Sequence, residues 1–187
     1  GCPGTFPPVA VNGAVLAGWD SPAAVRGRRD GVRPISLHDD LVRRFGQDYL
    51  PFDVIDQYRA GMEAGPGWYR EAASRLVETI GRRIELSMHL ADEGAGGPVD
   101  LLAVHFPEPD TAGHHFWHLH DLGSPRCPAW IDGFLDGRTG RVADPLADVY
   151  EAVDAAVGEL VDRFHPDAVL VVSDHGMAET SVERVVV

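Results

Sequence analysis

A mixed α/β fold with a mainly parallel sheet is the architecture that this 187-residue sequence predicts. Two apolar runs of strand length, at 99–106 and 168–173, each follow a stretch with helical character. Continuous apolar runs are typical of strands buried on both faces of a parallel sheet, and their alternation with helices favours βα units. Ligands of such sheets bind beyond the carboxyl ends of the strands. The residues after each run are therefore candidate site residues.

The N-terminal part of the chain predicts little regular structure. Residues 1–35 are rich in glycine and proline and contain only short apolar runs, such as 9–11 and 14–16. This composition is typical of loops with one or two short strands. We expect a single domain over 1–187, in which this loop-rich segment precedes a helix and strand segment at 36–187.

Two helical stretches come next. Helix-forming residues dominate 53–64 and 68–90, and the Gly-Pro-Gly sequence at 65–67 predicts a turn between them. The glycine-rich sequence 92–98 predicts the end of the second stretch. That stretch repeats apolar residues every four positions, which indicates an amphipathic helix; they are Ala72, Leu76, Ile80 and Ile84.

The clearest helix signal lies between the two apolar runs. Asp144 is suited to the N-cap position and Pro145 to the first helical position. The sequence His165-Pro166 predicts the end of this helix, because a residue that precedes proline avoids the helical region. Apolar residues at helical spacing fill the interval; they are Val149, Val153, Ala156, Leu160 and Phe164.

The charge of the chain limits its partners. The formal net charge is −13, which argues against binding to a nucleic-acid polymer because such binding depends on clustered Lys and Arg. A phosphate ester would be repelled too, unless bound cations reverse the local charge.

The sequence shows neither a secretory signal nor an apolar run of membrane-spanning length. We therefore expect a cytoplasmic protein with no membrane segment.

Each apolar run is followed by a predicted loop that carries a carboxylate and an imidazole. Asp110 and His114 come after the first run, and Asp174 and His175 come after the second. Mixed oxygen and nitrogen ligands suit Zn²⁺, Mn²⁺ or Fe, whereas Mg²⁺ and Ca²⁺ prefer oxygen. One such pair in a loop is usually only solvated, but two pairs at the same edge of a sheet favour a metal centre. Two metals there would clamp the attacking and leaving oxygens of a phosphoryl transfer.

Other candidates are weaker. His118 follows His114 by four residues and could share its helix face, but a surface or supporting role is favoured. We expect His115 and His120 to be exposed or to support the site from outside it, and we expect Trp117 to pack against the protein. No Gly-x-Ser-x-Gly sequence occurs, which argues against a serine hydrolase.

The two motifs resemble those of a known family. Residues 173–177 (SDHGM) and 109–114 (PDTAGH) are similar to the SDHGM and PDxxGH motifs of type I phosphodiesterases/nucleotide pyrophosphatases. The HHFW sequence at 114–117 resembles an H-x-FW variant in that group. Further upstream, residues 4–8 (GTFPP) and 11–13 (VNG) resemble its GTYPP…VNG segment. The similarity thus runs from about residue 4 to about residue 177.

The resemblance implies a metal-dependent hydrolase of phosphodiester or pyrophosphate bonds. It implies a three-layer α/β/α sandwich of the alkaline-phosphatase type and two divalent metal ions, often zinc, with Mn or Fe as alternatives. Asp174 and His175 would ligate one metal, and Asp110 and His114 the other, together with a later histidine. The expected substrate is a small-molecule phosphate ester or nucleotide.

Three elements of the family pattern are missing from the sequence. They are an aspartate ligand near the start of the fold, the Thr or Ser nucleophile after it, and the later histidine, since no histidine follows His175. We therefore expect a domain that is incomplete at both ends, a nucleophile from outside this chain, and no turnover by the chain alone. The alternatives are another phosphomonoesterase, phosphoglycerate mutase or sulfatase of the same superfamily, and a non-catalytic metal-binding remnant.

Overall fold

The computed structural model describes residues 6–18, 27–47, 49–50, 65–94, 96–137 and 140–179. Within these ranges the longer elements are β1 (Val15–Leu16), β2 (Val32–Arg33), α1 (Ser36–Phe45), α2 (Pro66–His89), α3 (Glu108–His120) and α4 (Pro145–Phe164). Short 3₁₀ turns occur at Arg29–Gly31 and Ile131–Gly133, and a π-helical turn at Leu90–Gly94. The helix predicted at 53–64 lies outside the described residues.

The chain divides into two compact units. The first comprises Gly1–Asp56 and Thr79–Phe106, and the second comprises Gln57–Glu78 and Pro107–Val187. Helix α2 contributes residues to both units. The sequence-based assignment of one domain over 1–187, with segments at 1–35 and 36–187, stays a prediction.

The first unit has a small core between a hairpin-like strand pair and helices. β1 and β2 pair antiparallel, with Val15 opposite Arg33 and Leu16 opposite Val32. The short strands predicted for the N-terminal part are confirmed at β1, whereas the run at 9–11 forms no strand. The buried apolar cluster draws on β2, α1, α2 and the segment after α1; its members are Val32, Leu37, Leu41, Tyr49, Leu50 and Leu86.

The second unit is built on the packing of α3 against α4. Ala112, Phe116 and Leu119 are buried on α3, and Leu146 and Val149 are buried on α4. Aromatic rings extend this core toward the start of α2 and the Ile131–Gly133 turn. The contacting rings are Trp68, Tyr69, Phe116, Trp130 and Phe134, with centroid separations of 4.7–6.5 Å.

The amphipathic helix α2 is confirmed, and both of its ends lie within two residues of the predicted bounds. It begins at Pro66 inside the predicted turn, because proline lacks only a donor that the first turn leaves unpaired and its φ already suits a helix. At the other end, the sequence from Asp92 does not break the helix at once. The π-helical turn Leu90–Gly94 carries the winding on to Gly94.

Helix α4 matches its prediction at both ends. The Asp144 carboxylate accepts a hydrogen bond from the Ala147 amide at 3.0 Å, which satisfies a first-turn donor. Pro145 follows at the first helical position. The helix ends at Phe164, and His165 adopts a left-handed conformation with φ 45° and ψ 53°.

The two predicted buried strands are wrong in the described structure. Residues 99–106 and 168–173 form no strand, and most of their side chains are exposed. Leu170, at the centre of the second run, is 87% exposed. A strand is buried on both faces only when neighbouring strands and helices cover it. The one sheet among the described residues is the β1–β2 pair, two residues long in each strand, so neither run has a ladder within those residues.

Candidate metal centre

Asp110 and His114 lie on α3 and not in a loop as predicted. The helix begins at Glu108 with a proline in its first turn, so both side chains sit in regular helix one turn apart. Residues four apart face the same side of a helix. Asp110 Oδ1 and His114 Nε2 are accordingly 3.6 Å apart.

Asp174 and His175 lie in an exposed segment without regular structure, beyond the end of α4. The Ser173 hydroxyl donates a hydrogen bond to the His175 carbonyl. His175 Nδ1 lies 3.1 Å from the Gly176 carbonyl. A carbonyl only accepts hydrogen bonds, so Nδ1 is the donor in this contact and Nε2 is the ring nitrogen that faces the carboxylates.

The two motifs meet at one oxygen atom. His175 Nε2 is 3.6 Å from Asp110 Oδ1, and His114 Nε2 is 3.6 Å from the same oxygen atom. The Oδ1 atom of Asp174 lies 3.8 Å from His175 Nε2. The structure thus brings all four sequence-predicted ligands into one cluster, although their role as ligands stays a prediction.

The cluster fits a cation in its chemistry but is more open than a closed metal site. Two ligands of one zinc ion stand about 3.4 Å apart, as bond lengths near 2.0–2.1 Å and tetrahedral angles require. The separations here are 3.6–3.8 Å, and Asp174 is 92% exposed. Among the described residues no group of three or more His, Cys, Asp or Glu side chains is placed so that it could hold a metal ion.

The facing atoms provide a physical reason for a cation. Asp110 Oδ1 and His175 Nε2 face each other at 3.6 Å. A carboxylate oxygen and the nitrogen of a neutral imidazole both present lone pairs, and a divalent cation is bound by such atoms. Two carboxylates and two imidazoles are also a donor set that zinc accepts.

His118 lies one turn beyond His114 on α3 and is half-buried. Its Nε2 is 3.2 Å from the Tyr69 hydroxyl. Burial lowers the pKa of His118, Arg126 lowers it further, and the charge of Glu179 raises it. The predicted supporting position is consistent with these contacts. Sequence reasoning missed Tyr69 and Glu179, because only the tertiary fold brings them to this helix.

The neighbouring histidine and tryptophan belong to the connection between α3 and α4. Exposed His120 places Nδ1 2.7 Å from Oδ2 of Asp144, the residue that caps α4. The rings of Trp117 and His120 are 5.9 Å apart. These contacts tie the end of α3 to the start of α4 and agree with the packing role predicted for Trp117.

A family model described as type I phosphodiesterase/nucleotide pyrophosphatase matches residues 11–187. The chain belongs to this family. The resemblance that the two motifs indicated is thereby confirmed over most of the sequence. The type I phosphodiesterase/nucleotide pyrophosphatase family is a family of hydrolases with an α/β fold of the alkaline-phosphatase type.

Similarity to curated proteins points to a different group. The chain is 31% identical over 117 residues to the 2-C-methyl-D-erythritol 4-phosphate cytidylyltransferases of Bordetella pertussis and Bordetella bronchiseptica. The match covers 58% of this chain and 47% of each relative, so the chain spans about half the length of the curated relatives it matches. No solved structure matches the chain.

Members of this family act on small nucleotides or phosphate esters. Within the described part of the chain, no helix has the length and hydropathy that crossing a membrane requires.

Proposed function

We propose that this chain supplies four of the metal ligands of a two-metal phosphodiesterase or pyrophosphatase site. The observation that carries the proposal is the convergence of two motifs, distant in sequence, on Asp110 Oδ1. Both His114 Nε2 and His175 Nε2 lie 3.6 Å from that atom. Membership of a phosphodiesterase and pyrophosphatase family supports the same chemistry.

The proposed ligand sets follow the two motifs. Asp174 and His175 hold one metal, and Asp110 and His114 hold the other; zinc is proposed, with Mn or Fe as alternatives. Bound divalent cations supply positive charge for phosphate oxygens and lower the pKa of water. The protein's own part is to hold carboxylates and imidazoles at fixed separations. Without cations, a chain of net charge −13 repels a phosphate ester.

The nucleophile and the remaining ligands are proposed to come from sequence outside this chain. A Thr or Ser would attack phosphorus, as in covalent phosphoryl transfer, and a further histidine would complete the site of Asp110 and His114. The 187 residues alone would then bind metal weakly and lack turnover. A cytoplasmic location also stays a prediction.

The complete domain is proposed to be a three-layer α/β/α sandwich. The apolar runs at 99–106 and 168–173 suit buried parallel strands in composition. Leu170 to Val172 are at least 75% exposed in this chain, so the runs would become buried strands only where further strands pair with them. The ligand motifs would then follow the carboxyl ends of two strands, where such sheets bind ligands.

The cytidylyltransferase similarity does not change this proposal. Those relatives are named for transfer of a cytidylyl group, but the match leaves about half of their length uncovered. A shared preference for phosphate-bearing substrates is compatible with both groups.

The test is hydrolysis of a bis-aryl phosphate by the full-length natural protein, with and without Zn²⁺. Replacement of His114 or Asp174 by Ala is expected to abolish metal-dependent turnover. His165→Asn and Asp167→Asn are matched controls: they remove an exposed imidazole and an exposed carboxylate outside the cluster, and Asn tolerates the left-handed backbone of His165. Undiminished hydrolysis by His114→Ala or Asp174→Ala would overturn the proposal.

A substrate panel separates the proposed activity from its neighbours. Preference for a diester over a monoester and a sulfate ester supports a phosphodiesterase, whereas the reverse order indicates another phosphatase or a sulfatase. A natural protein with no sequence beyond these residues, which binds Zn²⁺ but hydrolyses none of the three, would be a non-catalytic metal-binding remnant.

A further inference from the structure

The exposed segment that carries Asp174 and His175 regains contact with the protein at two later residues. Every residue from 165 to 176 is exposed, and half-buried positions return at Met177 and Glu179. Such a segment has few local constraints, because it contains neither helix nor sheet hydrogen bonds. Whatever places its ligands beside Asp110 must therefore act from a distance along the chain.

The first contact is between Met177 and Gly113. A Cβ built on Gly113 would lie 2.9 Å from Met177 Cε and 3.0 Å from Cγ, closer than a real side chain allows. Because Gly113 has no Cβ, Met177 can approach the α3 backbone beside His114. Glycine at this position has a cost, since glycine inside a helix is destabilising by about 0.5–1 kcal/mol relative to Ala.

The second contact is between Glu179 and Ser124. The Ser124 hydroxyl donates a hydrogen bond to Glu179 Oε1, and Ser124 Oγ accepts one from the Arg126 amide at 3.0 Å. Ser124 is only 6% exposed, so its hydroxyl is held in place by the loop that follows α3. Hydrogen bonds to charged groups are the stronger class.

We propose that these contacts form a two-point anchor, Met177 on Gly113 and Glu179 on Ser124, which positions Asp174 and His175 beside Asp110. Ser124 and Glu179 are then positioning residues, since they act on the ligands through the backbone. The link to metal binding rests on the proposed function, whereas the anchor itself is a property of the metal-free chain.

Glu179 acts through its charge as well as through its hydrogen bond to Ser124. The carboxylate of Glu179 also acts on His118, whose pKa it raises, while Arg126 lowers that pKa. Glu179→Gln removes the charge but keeps an acceptor for the Ser124 hydroxyl. Glu179→Ala removes both. The pair of variants therefore separates anchoring by the hydrogen bond from a general effect of charge.

The experiment measures NMR backbone order parameters of residues 174–178 in the metal-free 187-residue chain, with α4 as internal reference. Ser124→Ala and Glu179→Ala are expected to lower the order parameters there to below about 0.6, the value of a flexible backbone. Glu179→Gln keeps a neutral hydrogen bond and is expected to fall between the parent and the Ala variants, and the order parameters of α4 are expected to be unchanged. Because Glu179 is half-exposed, its variants test the anchor even if Ser124→Ala folds poorly.

The first contact is tested by a compensating pair. Gly113→Ala favours helix formation but displaces Met177, so it should lower the order parameters of 174–178 without lowering overall stability. Met177→Ala removes the atoms that the new Cβ would meet. Gly113→Ala should therefore have a smaller effect on the order parameters in the Met177→Ala background than in the parent.

Zn²⁺ affinity of the same variants, measured by competition with a chromophoric chelator, connects the anchor to the ligands. We expect about a tenfold loss for Ser124→Ala and Glu179→Ala, in the range known for residues that orient ligands, and a smaller loss for Glu179→Gln. Unchanged order parameters in both Ala variants would overturn the anchor. Lowered order parameters with parental affinity would overturn its positioning role. A parent that binds no Zn²⁺ would contradict the proposed function, and the order parameters would still decide the anchor.

Discussion

The two ligand motifs contain the same side chains but are held in different ways. Asp110 and His114 lie on α3, a helix with Ala112 and Phe116 buried on its other side. Asp174 and His175 lie in an exposed segment that has no regular structure. Helical geometry alone sets the separation within the first pair, whereas the second pair reaches Asp110 only through tertiary contacts. The comparison shows that one half of the candidate site is locally encoded and the other is not.

The largest expected difference between the two regions is in the loss of stability when a side chain is truncated to Ala. Phe116 is fully buried on α3 and packs edge-on against Trp68 and Tyr69. Phe116→Ala is expected to lower the free energy of unfolding by about 3–5 kcal/mol, measured by denaturant titration of this chain. Leu170→Ala, in the exposed run before the second motif, should change it by less than about 0.5 kcal/mol.

The same control tests the proposed sandwich. If residues 168–173 become a buried strand in the full-length protein, Leu170→Ala should cost about 2–5 kcal/mol there. A cost within about 0.5 kcal/mol in both proteins would contradict the sandwich proposal at this strand.

Metal affinity should show a smaller difference between the motifs. Asp110 Oδ1 contacts both histidines at 3.6 Å, whereas Asp174 Oδ1 is 3.8 Å from His175 alone. We expect Asp110→Ala to weaken Zn²⁺ binding by about 100-fold and Asp174→Ala by about tenfold, which differ by about 1.4 kcal/mol. Competition titration of both variants against His165→Asn measures this. An equal loss, or a larger one for Asp174→Ala, would show that the second motif dominates binding.

The smallest expected effect is a difference in the pH dependence of stability, and it is a difference between the two compact units. Burial keeps the pKa of His118 below its unfolded value of 6.5, so the unfolded chain takes up this proton first. The stability it contributes is therefore present above pH 6.5 and lost as the pH falls through the lower folded pKa. The Arg43 hydrogen bond, and then His89, lower the pKa of Asp40. Its contribution is accordingly lost only below its unfolded value of 3.8.

Unfolding midpoints measured between pH 7.5 and 3 test these two windows. His118→Gln should flatten the dependence below pH 6.5 and leave the Asp40 window unchanged. Asp40→Asn should do the reverse. A parental slope in both windows for His118→Gln would rule out this histidine as the source of the upper transition.

Predictions made from local sequence succeeded where local forces dominate. Asp144 and Pro145 mark the start of α4, because a capping carboxylate and a proline act within a single turn. The predicted strands at 99–106 and 168–173 failed for the opposite reason. Apolar composition indicates that a segment tends to be buried. A strand also needs hydrogen bonds to partner strands, and the composition of the segment does not say whether those partners are present. The loop predicted for Asp110 and His114 depended on the first of these strands, and the structure has a helix there instead.

The sequence by itself determined the family, the chemistry of the four candidate ligands and the limits of α4, because motif identity and capping depend on residues close together in the chain. Only the tertiary structure decided that His175 reaches Asp110 and that Met177 and Glu179 return to Gly113 and Ser124. Those contacts join residues more than 50 positions apart. Their formation depends on the packing of the unit that contains α3 and α4, which no local pattern specifies.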